Sequence, residues 1–286
     1  MEFLNLSQSF NLKTPTVVTV GKFDGLHKGH MSLLDALKKE AEAKSFKSVV
    51  ITFKTRSDSI LTDDEKAAFF TRFGIDYYAA IDFSDDFLKL SAQNFISEIL
   101  INRFNCQIAV AGENFRFGFE RQGDIELLKQ FFNVICVPLT HDVSSEKIRK
   151  YIRECDFETA NELLGYPYFI SGTVSHGKKE GRKLGFPTIN IMPLEMKLIP
   201  DNGVYATKTL FNGKTYKSLT NIGTNPTLNG TKKTIETFIL DFDGELYGEA
   251  VEISFYRKIR GEIKFDSAVE LQKQIEKDIS ATECGF

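Results

Sequence analysis

The sequence comprises 286 residues, of which 42% are hydrophobic and 26% are charged, an ordinary balance for a globular protein with a buried core. This length allows one large domain or two of usual size, and two is the better expectation. The net charge of −3 argues against broad binding to nucleic acid or to a membrane surface. Four scattered cysteines without a CxxC pair indicate a reducing compartment. Because no signal peptide or long apolar run is recognisable, we expect a cytoplasmic protein without a membrane span.

The stretch that organises the first half is residues 16–34, TVVTVGKFDGLHKGHMSLL. It predicts a buried strand over Thr16–Val20, a turn at Gly21 and a helix that begins near Gly29 or His30. Unpaired amide groups and the helix dipole would converge there, which makes an anion site. Alternatively, His27 and His30 are a helix-start pair without a role, or half of a metal site. No third ligand with zinc-like spacing follows them, so phosphate is the better expectation.

Strand and helix patterns continue to alternate up to about residue 140. A capping-box spacing at Thr62 predicts a helix through Phe73, closed by Gly74. Such alternation predicts a parallel sheet covered by helices, with ligands at the carboxyl ends of the strands. The other predicted strands are Lys47–Phe53, Ile75–Ile81, Gln107–Ala111 and Val134–Pro138, and the other predicted helices are Ser91–Phe104 and Asp124–Phe132.

The pattern changes after a helical region, Ser144–Leu164, that is broken near Asp156. From about residue 168 the chain reads as short strands, with hairpin turns predicted at Asn212-Gly213 and Asp243-Gly244. A final helix is predicted over residues 266–279. We therefore expect a small antiparallel barrel with a C-terminal helix, and a boundary that divides the chain into domains 1–160 and 161–286.

The glycine and histidine spacing after the first strand resembles the signature of the nucleotidyltransferase superfamily, which carries an HxGH element. With FDG ahead of that element, it looks like the adenylyltransferase half of the bacterial bifunctional riboflavin kinase/FAD synthetases. The resemblance implies in-line attack of an FMN phosphate on the α-phosphorus of ATP, with catalysis by positioning and charge stabilisation. The residues so implied in ATP binding are Gly21, Phe23, Asp24, Gly25, His27, Gly29 and His30, of which His27 and His30 are the catalytic pair.

Two further stretches extend the likeness. The loop around Asn114 resembles the flavin-side loop of the family, and Ser144-Ser145-Glu146-Lys147-Ile148-Arg149 resembles its SSTxIR phosphate motif. The first implies flavin contacts by Asn114, Phe115, Arg116 and Phe117, and the second implies ATP contacts by Ser145 and Arg149. The sequence departs from the pattern at Glu146, which replaces Thr, and after Phe53, where KTRSDS lacks the proline and histidine of the family turn.

The second half carries a glycine-rich stretch that resembles the riboflavin kinase signature GxVxxGxxxGRxLGxPTxN. Spaced glycines allow close backbone approach to phosphates, and the neutral oxygens of Thr188 and Asn190 suit Mg²⁺. The resemblance implies ATP and phosphate binding by Gly172, Val174, Gly177, Gly181, Arg182, Gly185, Pro187, Thr188 and Asn190, with Thr188 and Asn190 as metal ligands.

Glu236 is the candidate general base of this half. Strand alternation would place it on one face with Phe238, Leu240 and Phe242, where a carboxylate is unexpected unless it is paired or functional. The family implies that the matching Glu deprotonates the riboflavin 5′-hydroxyl. Phe238 replaces the usual His, and the alternative reading of Glu236 is a solvated residue on an edge strand. The resemblance also implies flavin contacts by Arg260, Glu262 and Phe265.

Together these motifs imply phosphorylation of riboflavin to FMN and adenylylation of FMN to FAD, with ATP as co-substrate and Mg²⁺ as cofactor. The implied partners are small molecules only, with no nucleic acid or membrane, in a monomer or weak homo-oligomer. Two alternatives stay open: only one half is competent, which would leave mainly a kinase, or the protein is a non-catalytic, flavin-binding regulator.

Overall fold

The structure is a computed structural model that describes residues 1–6, 8–55, 57–82, 87, 89–138, 143–177, 181, 185–194, 196–227 and 230–283. Its contacts divide the chain into two compact units. The first unit comprises Met1–Arg56 and Leu61–Val143, and the second comprises Ser57–Ile60 and Ser144–Phe286. Each unit is described by itself below.

The first unit is built on a six-stranded parallel sheet in the order β1-β4-β3-β2-β5-β6. The order reverses between β2 and β5, which creates the crevice where ligands bind in open parallel sheets. The strands are β1 (Glu2–Phe3), β2 (Thr16–Val20), β3 (Lys47–Phe53), β4 (Tyr77–Ile81), β5 (Cys106–Gly112) and β6 (Asn133–Val137).

Within the described residues, four α-helices accompany this sheet: α1 (Lys28–Lys44), α2 (Asp63–Phe73), α3 (Ala92–Asn94) and α4 (Ile125–Lys129). Helix α1 buries Leu34, Leu37 and Ala41, which have helical spacing. The predicted capping box of α2 is confirmed, because Thr62 and Glu65 bond each other's backbone amides.

The predicted helix over Ser91–Phe104 takes another form. After α3 the chain continues as a π-helical segment, Phe95–Arg103. This segment buries Phe95, Ile96, Ile99 and Leu100 in adjacent pairs, and the Phe104 amide bonds the Ile99 carbonyl five residues earlier. Edge strand β1 was not predicted, because a strand of two residues is too short to show an alternating hydrophobic pattern.

The second unit contains a closed antiparallel barrel in the order β10-β11-β8-β7-β12-β9. Its strands are β7 (Phe169–Ser175), β8 (Thr188–Ile191), β9 (Gly203–Phe211), β10 (Lys214–Thr227), β11 (Gly230–Ile239) and β12 (Ala250–Arg260). The C-terminal helix α7 (Ala268–Glu283) contacts β9, β10 and β12. The predicted fold class, a parallel α/β half followed by an antiparallel barrel with a final helix, is confirmed.

Of the two predicted hairpins, the one at Asn212-Gly213 is confirmed. It joins β9 to β10, and both turn residues have positive φ, 47° and 73°. The one at Asp243-Gly244 was wrong, because β11 ends at Ile239 and pairs with β10 and β8 rather than with β12. The Asp-Gly pair instead lies in a longer crossing between β11 and β12, so Leu240 and Phe242 do not continue the strand face of Glu236.

Helices α5 (Ser145–Arg153) and α6 (Phe157–Leu164) group with the barrel. The predicted break near Asp156 is confirmed: Asp156 caps α6, and Cys155 before it has φ of 60°. Phe157 packs on the rings of Tyr168, Tyr205 and Phe255 at centroid distances of 6.3, 5.8 and 5.4 Å. This aromatic cluster packs α6 against strands β9 and β12 of the barrel.

Candidate active sites

The turn that follows β2 delivers an open helix N-terminus. Phe23, Gly25 and Leu26 all adopt positive φ, so the chain reverses sharply before α1. His27 is the N-cap residue but makes no side-chain capping bond, and the first turn of α1 contains no acid. The amide groups at this end are therefore suited to an anionic ligand.

His27 and His30 stack on each other, with ring centroids 3.8 Å apart. The Nδ1 atoms of both rings are buried and have no hydrogen-bond partner within the described chain. Burial lowers the pKa of His27 to about 4, and burial together with the charges of His27 and Lys66 holds the pKa of His30 well below its usual value. Both imidazoles are therefore neutral at pH 7. A phosphate that approached them would favour the protonated form.

Phe23 is fully buried and supports this pair. Its ring lies 5.2 Å from that of His30 and 5.8 Å from that of Phe70. Gly21 makes room for it, because a Cβ at Gly21 would lie 3.1 Å from the Phe23 ring. Because the whole residue is buried, Phe23 supports the His30 ring and offers no exposed surface to a ligand in this structure.

A buried lysine stands close to the histidines and was missed from the sequence. Lys66 on α2 is 2% exposed, and its Nζ donates to Thr55 Oγ1 at 3.1 Å and lies 3.5 Å from Asp63 Oδ1. Asp63 also accepts a bond from the Thr55 amide at 2.9 Å. Burial lowers the pKa of Lys66, while Asp63 and Asp24 oppose that effect. This network holds the segment after Phe53, where the family turn with proline is absent.

A cavity of about 450 Å³ lies at the crevice between the carboxyl ends of β2 and β5. It brings the glycine turn at Gly21 together with the predicted flavin-side residues Asn114, Phe115, Arg116 and Phe117. Phe115 and Phe117 are stacked 5.4 Å apart, and Arg116 pairs with Asp124 at 2.7 Å. Sequence reasoning missed the aromatic walls contributed by distant segments, which are Phe53, Phe87 and Phe95.

The predicted phosphate motif on α5 belongs to the second unit. Ser144 caps this helix by accepting from the Lys147 amide. Arg149 Nη2 lies 2.7 Å from Glu146 Oε2, so the residue that departs from the family pattern pairs with the predicted phosphate ligand. Hydrogen bonding and charge from Arg149 lower the pKa of Glu146, which keeps the carboxylate ionised.

In the barrel, close packing explains why the kinase-like signature has glycine at several positions. A Cβ at Gly177 would lie 2.2 Å from Asn190 Nδ2, and a Cβ at Gly181 would lie 2.4 Å from the Phe186 carbonyl oxygen. Gly172 likewise lies against Ile191, and Gly185 has φ of 85°. The loop can approach β8 only because these side chains are missing. Arg182 lies outside the described residues.

A second cavity, of about 380 Å³, surrounds Glu236. Glu236 on β11 pairs with Asn190 of β8 on one side and with Asn221 of β10 on the other. The predicted residues Gly181, Thr188, Arg260, Glu262 and Phe265 line the same cavity as Glu236 and Phe238. Thr188 also lines a smaller cavity of about 50 Å³ with Val174, Pro187 and Tyr247. Thr188 therefore lies where the two cavities adjoin.

Both halves of the chain match models of known families. Residues 9–150 match FAD synthetase, and residues 164–285 match riboflavin kinase. The bifunctional riboflavin kinase/FMN adenylyltransferase of Escherichia coli (strain K12) is 35% identical over 294 residues, which cover 96% of this chain and 93% of the relative. The chain belongs to the bifunctional riboflavin kinase/FMN adenylyltransferase family.

Other members of this family are equally similar. The enzyme of Listeria monocytogenes is 36% identical and that of Bacillus subtilis (strain 168) is 35% identical, over 94% and 92% of this chain and 92% and 90% of theirs. A crystal structure from Streptococcus pneumoniae, titled a macrolide-efflux protein, matches with a TM-score of 0.88 and 30% identity over 98% of each chain. Throughout the described ranges, no helix is long and apolar enough to cross a membrane.

Proposed function

We propose that this protein phosphorylates riboflavin to FMN and adenylylates FMN to FAD, with ATP as co-substrate in both reactions and release of pyrophosphate in the second. The observation that carries the proposal is the match of both halves, in order, to bifunctional relatives over 96% of the chain. Because both family models match, two activities are favoured over a single competent half or a non-catalytic regulator.

In the kinase half, Glu236 is the general base that takes the proton of the riboflavin 5′-hydroxyl. Its position in the large cavity beside Phe238 supports this role, since a flavin ring needs apolar walls and its hydroxyl needs an acceptor. The adjoining small cavity then suits the nucleotide, and Thr188 lies at the point where the phosphoryl group would cross. Arg260, Glu262 and Phe265 close the flavin side.

The residues on β8 fit a magnesium ion. Thr188 and Asn190 share a strand face and offer a hydroxyl and an amide oxygen, which are hard neutral donors that leave room for water and phosphate ligands. Gly177 leaves the space that the Asn190 side chain occupies. Bound there with ATP, Mg²⁺ would neutralise charge on the phosphates. The described residues contain no group of three or more acidic, His or Cys side chains that would compete for the metal.

In the adenylyltransferase half, His27 and His30 hold ATP phosphates at the N-terminus of α1. Their unpartnered Nδ1 atoms and the uncapped helix end support this role. The flavin ring of FMN occupies the cavity lined by Phe115 and Phe117, and Asn114 contacts its phosphate. The roles of Ser145 and Arg149 as ATP ligands rest on their motif alone.

We assign adenylyl transfer to residues 1–160 and riboflavin phosphorylation to residues 161–286. The enzyme then works on small molecules alone, without nucleic acid, as a monomer or weak homo-oligomer. The two family models leave residues 151–163 between them, which supports a boundary in that region, whereas the contacts of the chain group residues 144–160 with the barrel.

The test is a chromatographic time course with purified protein, ATP and Mg²⁺. One reaction starts from riboflavin and a parallel reaction starts from FMN. We expect FMN followed by FAD in the first reaction and FAD in the second. FMN that accumulates without FAD would leave only the kinase, and flavin that binds without conversion in either reaction would contradict the proposal.

A further inference from the structure

Arg260, a predicted flavin contact, is held by a carboxylate that the sequence motifs do not include. Asp278 on α7 is 2% exposed, and its carboxylate accepts from Arg260 Nε at 2.9 Å and lies 2.8 Å from Arg260 Nη2. Gln274 donates to the same carboxylate at 2.8 Å. Two guanidinium nitrogens thus approach one buried carboxylate, and this charge-assisted contact holds the guanidinium in place.

The backbone of Arg260 is fixed from the opposite side. Arg260 ends β12, pairs with Val204 of β9 and follows a register shift after Lys258. The next position on β9, Gly203, has φ of 154°, and a Cβ there would lie 2.6 Å from the Arg260 carbonyl oxygen. Strand β9 therefore approaches the Arg260 backbone as closely as a glycine permits. The backbone of Arg260 is thus held by β9, as its guanidinium is held by the carboxylate.

Arg260 is also the last strand residue before the exposed segment 261–267. Its Nη1 donates to the Gly261 carbonyl at 3.0 Å, and its guanidinium carbon lies 5.8 Å from the Phe265 ring centroid. The described hydrogen bonds use the Nε–H toward Asp278 and one Nη1–H toward Gly261, and Nη2 adds an ion-pair contact with Asp278. A residue that fixes Arg260 also fixes where this segment leaves the barrel.

We propose that Asp278 is a positioning residue of the kinase reaction, which orients Arg260 and, through it, the segment 261–265 against riboflavin. This inference rests on the proposed kinase function and adds a residue on α7 to that site. Asp278 lines the cavity together with Leu271 and Ile275 of the same helix, and Glu236 lines the same cavity. The helix therefore presents one charged group among apolar ones at the flavin side.

The test compares Asp278→Asn and Asp278→Glu in the full-length protein. Asn keeps the size but loses the charge and one acceptor, whereas Glu restores the carboxylate. We expect Asp278→Asn to raise the KM for riboflavin about tenfold, the effect of losing one charge-assisted hydrogen bond, with the KM for ATP changed less than twofold. We expect Asp278→Glu to recover most of that loss, and Glu276→Gln, an exposed charge on the same helix, to behave as the unsubstituted protein.

Three readouts separate positioning from general damage. FAD formation from FMN reports the other half of the same chain and should be unchanged. A riboflavin KM that stays constant in Asp278→Asn overturns the proposal, as does a parallel rise of both KM values that Asp278→Glu does not reverse. If Asp278→Asn does not fold, Gln274→Leu removes only the supporting bond, and its riboflavin KM should rise about threefold; no rise overturns the proposal.

Riboflavin binding, measured by flavin fluorescence, tests the role of Asp278 independently of the proposed kinase activity. If the unsubstituted protein binds riboflavin but forms no FMN, the kinase function fails while the dissociation constants still report the role of Asp278. An Asp278→Asn protein that then binds riboflavin as tightly as the unsubstituted one contradicts the positioning role on its own.

Discussion

His27 and His30 show how burial sets the charge of a site before any ligand arrives. The folded pKa of His27 lies near 4, below the value of about 6.5 expected in an unfolded chain. The unfolded state therefore binds more protons than the folded state between these two values. Stability that is fully present above pH 6.5 is lost as the pH falls toward 4.

We expect acid to destabilise the first unit through this pair. Between pH 7 and pH 5, His27 alone should remove about 2 kcal/mol from the free energy of unfolding, and His30 should add to that loss. Denaturant melts at the two pH values, with and without His27→Gln and His30→Gln, measure the difference. His176→Gln, at an exposed histidine of the second unit, is the control and should keep the full pH dependence.

Glu236 is the proposed general base of the kinase half. Glu236→Gln keeps the hydrogen-bonding shape but removes the base, so we expect FMN formation to fall about 10³-fold while riboflavin still binds. Initial rates from riboflavin and flavin fluorescence titrations measure the two effects. A variant with normal turnover would exclude Glu236 as the general base.

Glu146 pairs with Arg149, which we propose as an ATP ligand. Because the Glu146 carboxylate is largely exposed, solvent screens its ion pair with Arg149, and the pair is weak. We expect Glu146→Gln to lower the KM for ATP in FAD formation by about two- to fivefold. Glu154→Gln, which removes another exposed, paired carboxylate next to the same helix, should leave this KM unchanged. An unaltered KM in Glu146→Gln would mean that Arg149 does not bind ATP.

At the scale of elements, the glycine-rich loop packs closely against β8. Gly177→Ala would drive a methyl group into the Asn190 side chain, which must then leave its position on the proposed metal face. We expect the rate of FMN formation to fall about 100-fold, since small displacements in an active site have effects of that order. Gly112→Ala adds the same group where no atom lies within 4 Å and should not affect the kinase. Equal kinase rates in both variants would contradict this reading of the loop.

Local signals in the sequence predicted the elements well where one stretch contains the whole cause. The capping box at Thr62 and the Asn212-Gly213 turn each satisfy their hydrogen bonds within a few residues, and both were right. Asp243-Gly244 carries the same turn chemistry, yet barrel closure pairs β11 with β8 and β12 with β7. Which strands pair is a property of the whole barrel, and a dipeptide does not encode it.

The candidate site residues show the same difference between local sequence motifs and long-range packing. Residues within contiguous motifs, such as Asn114 and Phe115, were named as candidates from the sequence, and both line one cavity of the structure. Lys66, Phe87 and Asp278 were missed because each reaches its site from a remote helix or loop. A lysine or aspartate on an amphipathic helix looks like a solvated residue until the packing of that helix is known.

At the scale of the whole molecule, the two proposed reactions use separate cavities, one lined by residues of each compact unit. We therefore expect His30→Ala to reduce FAD formation by about 100-fold, the usual effect of removing a group that stabilises transition-state charge. FMN formation from riboflavin should be unchanged. Rates from riboflavin and from FMN in one preparation measure both, and an equal loss of the two activities in a folded variant would contradict two independent sites.

Residues 57–60 lie in the first half of the sequence but belong to the second compact unit. They follow β3 in sequence but group with the barrel, where the Ser59 amide bonds the Met196 carbonyl at 2.8 Å and the buried Lys197 ammonium donates to the Ile60 carbonyl at 2.7 Å. The chain therefore passes between the units three times, not once. If the gene were divided after β6, the separate kinase polypeptide would lack residues 57–60. Its Lys197 would then have lost the Ile60 carbonyl as an acceptor. Any stand-alone descendant of this barrel must supply a replacement for those four residues.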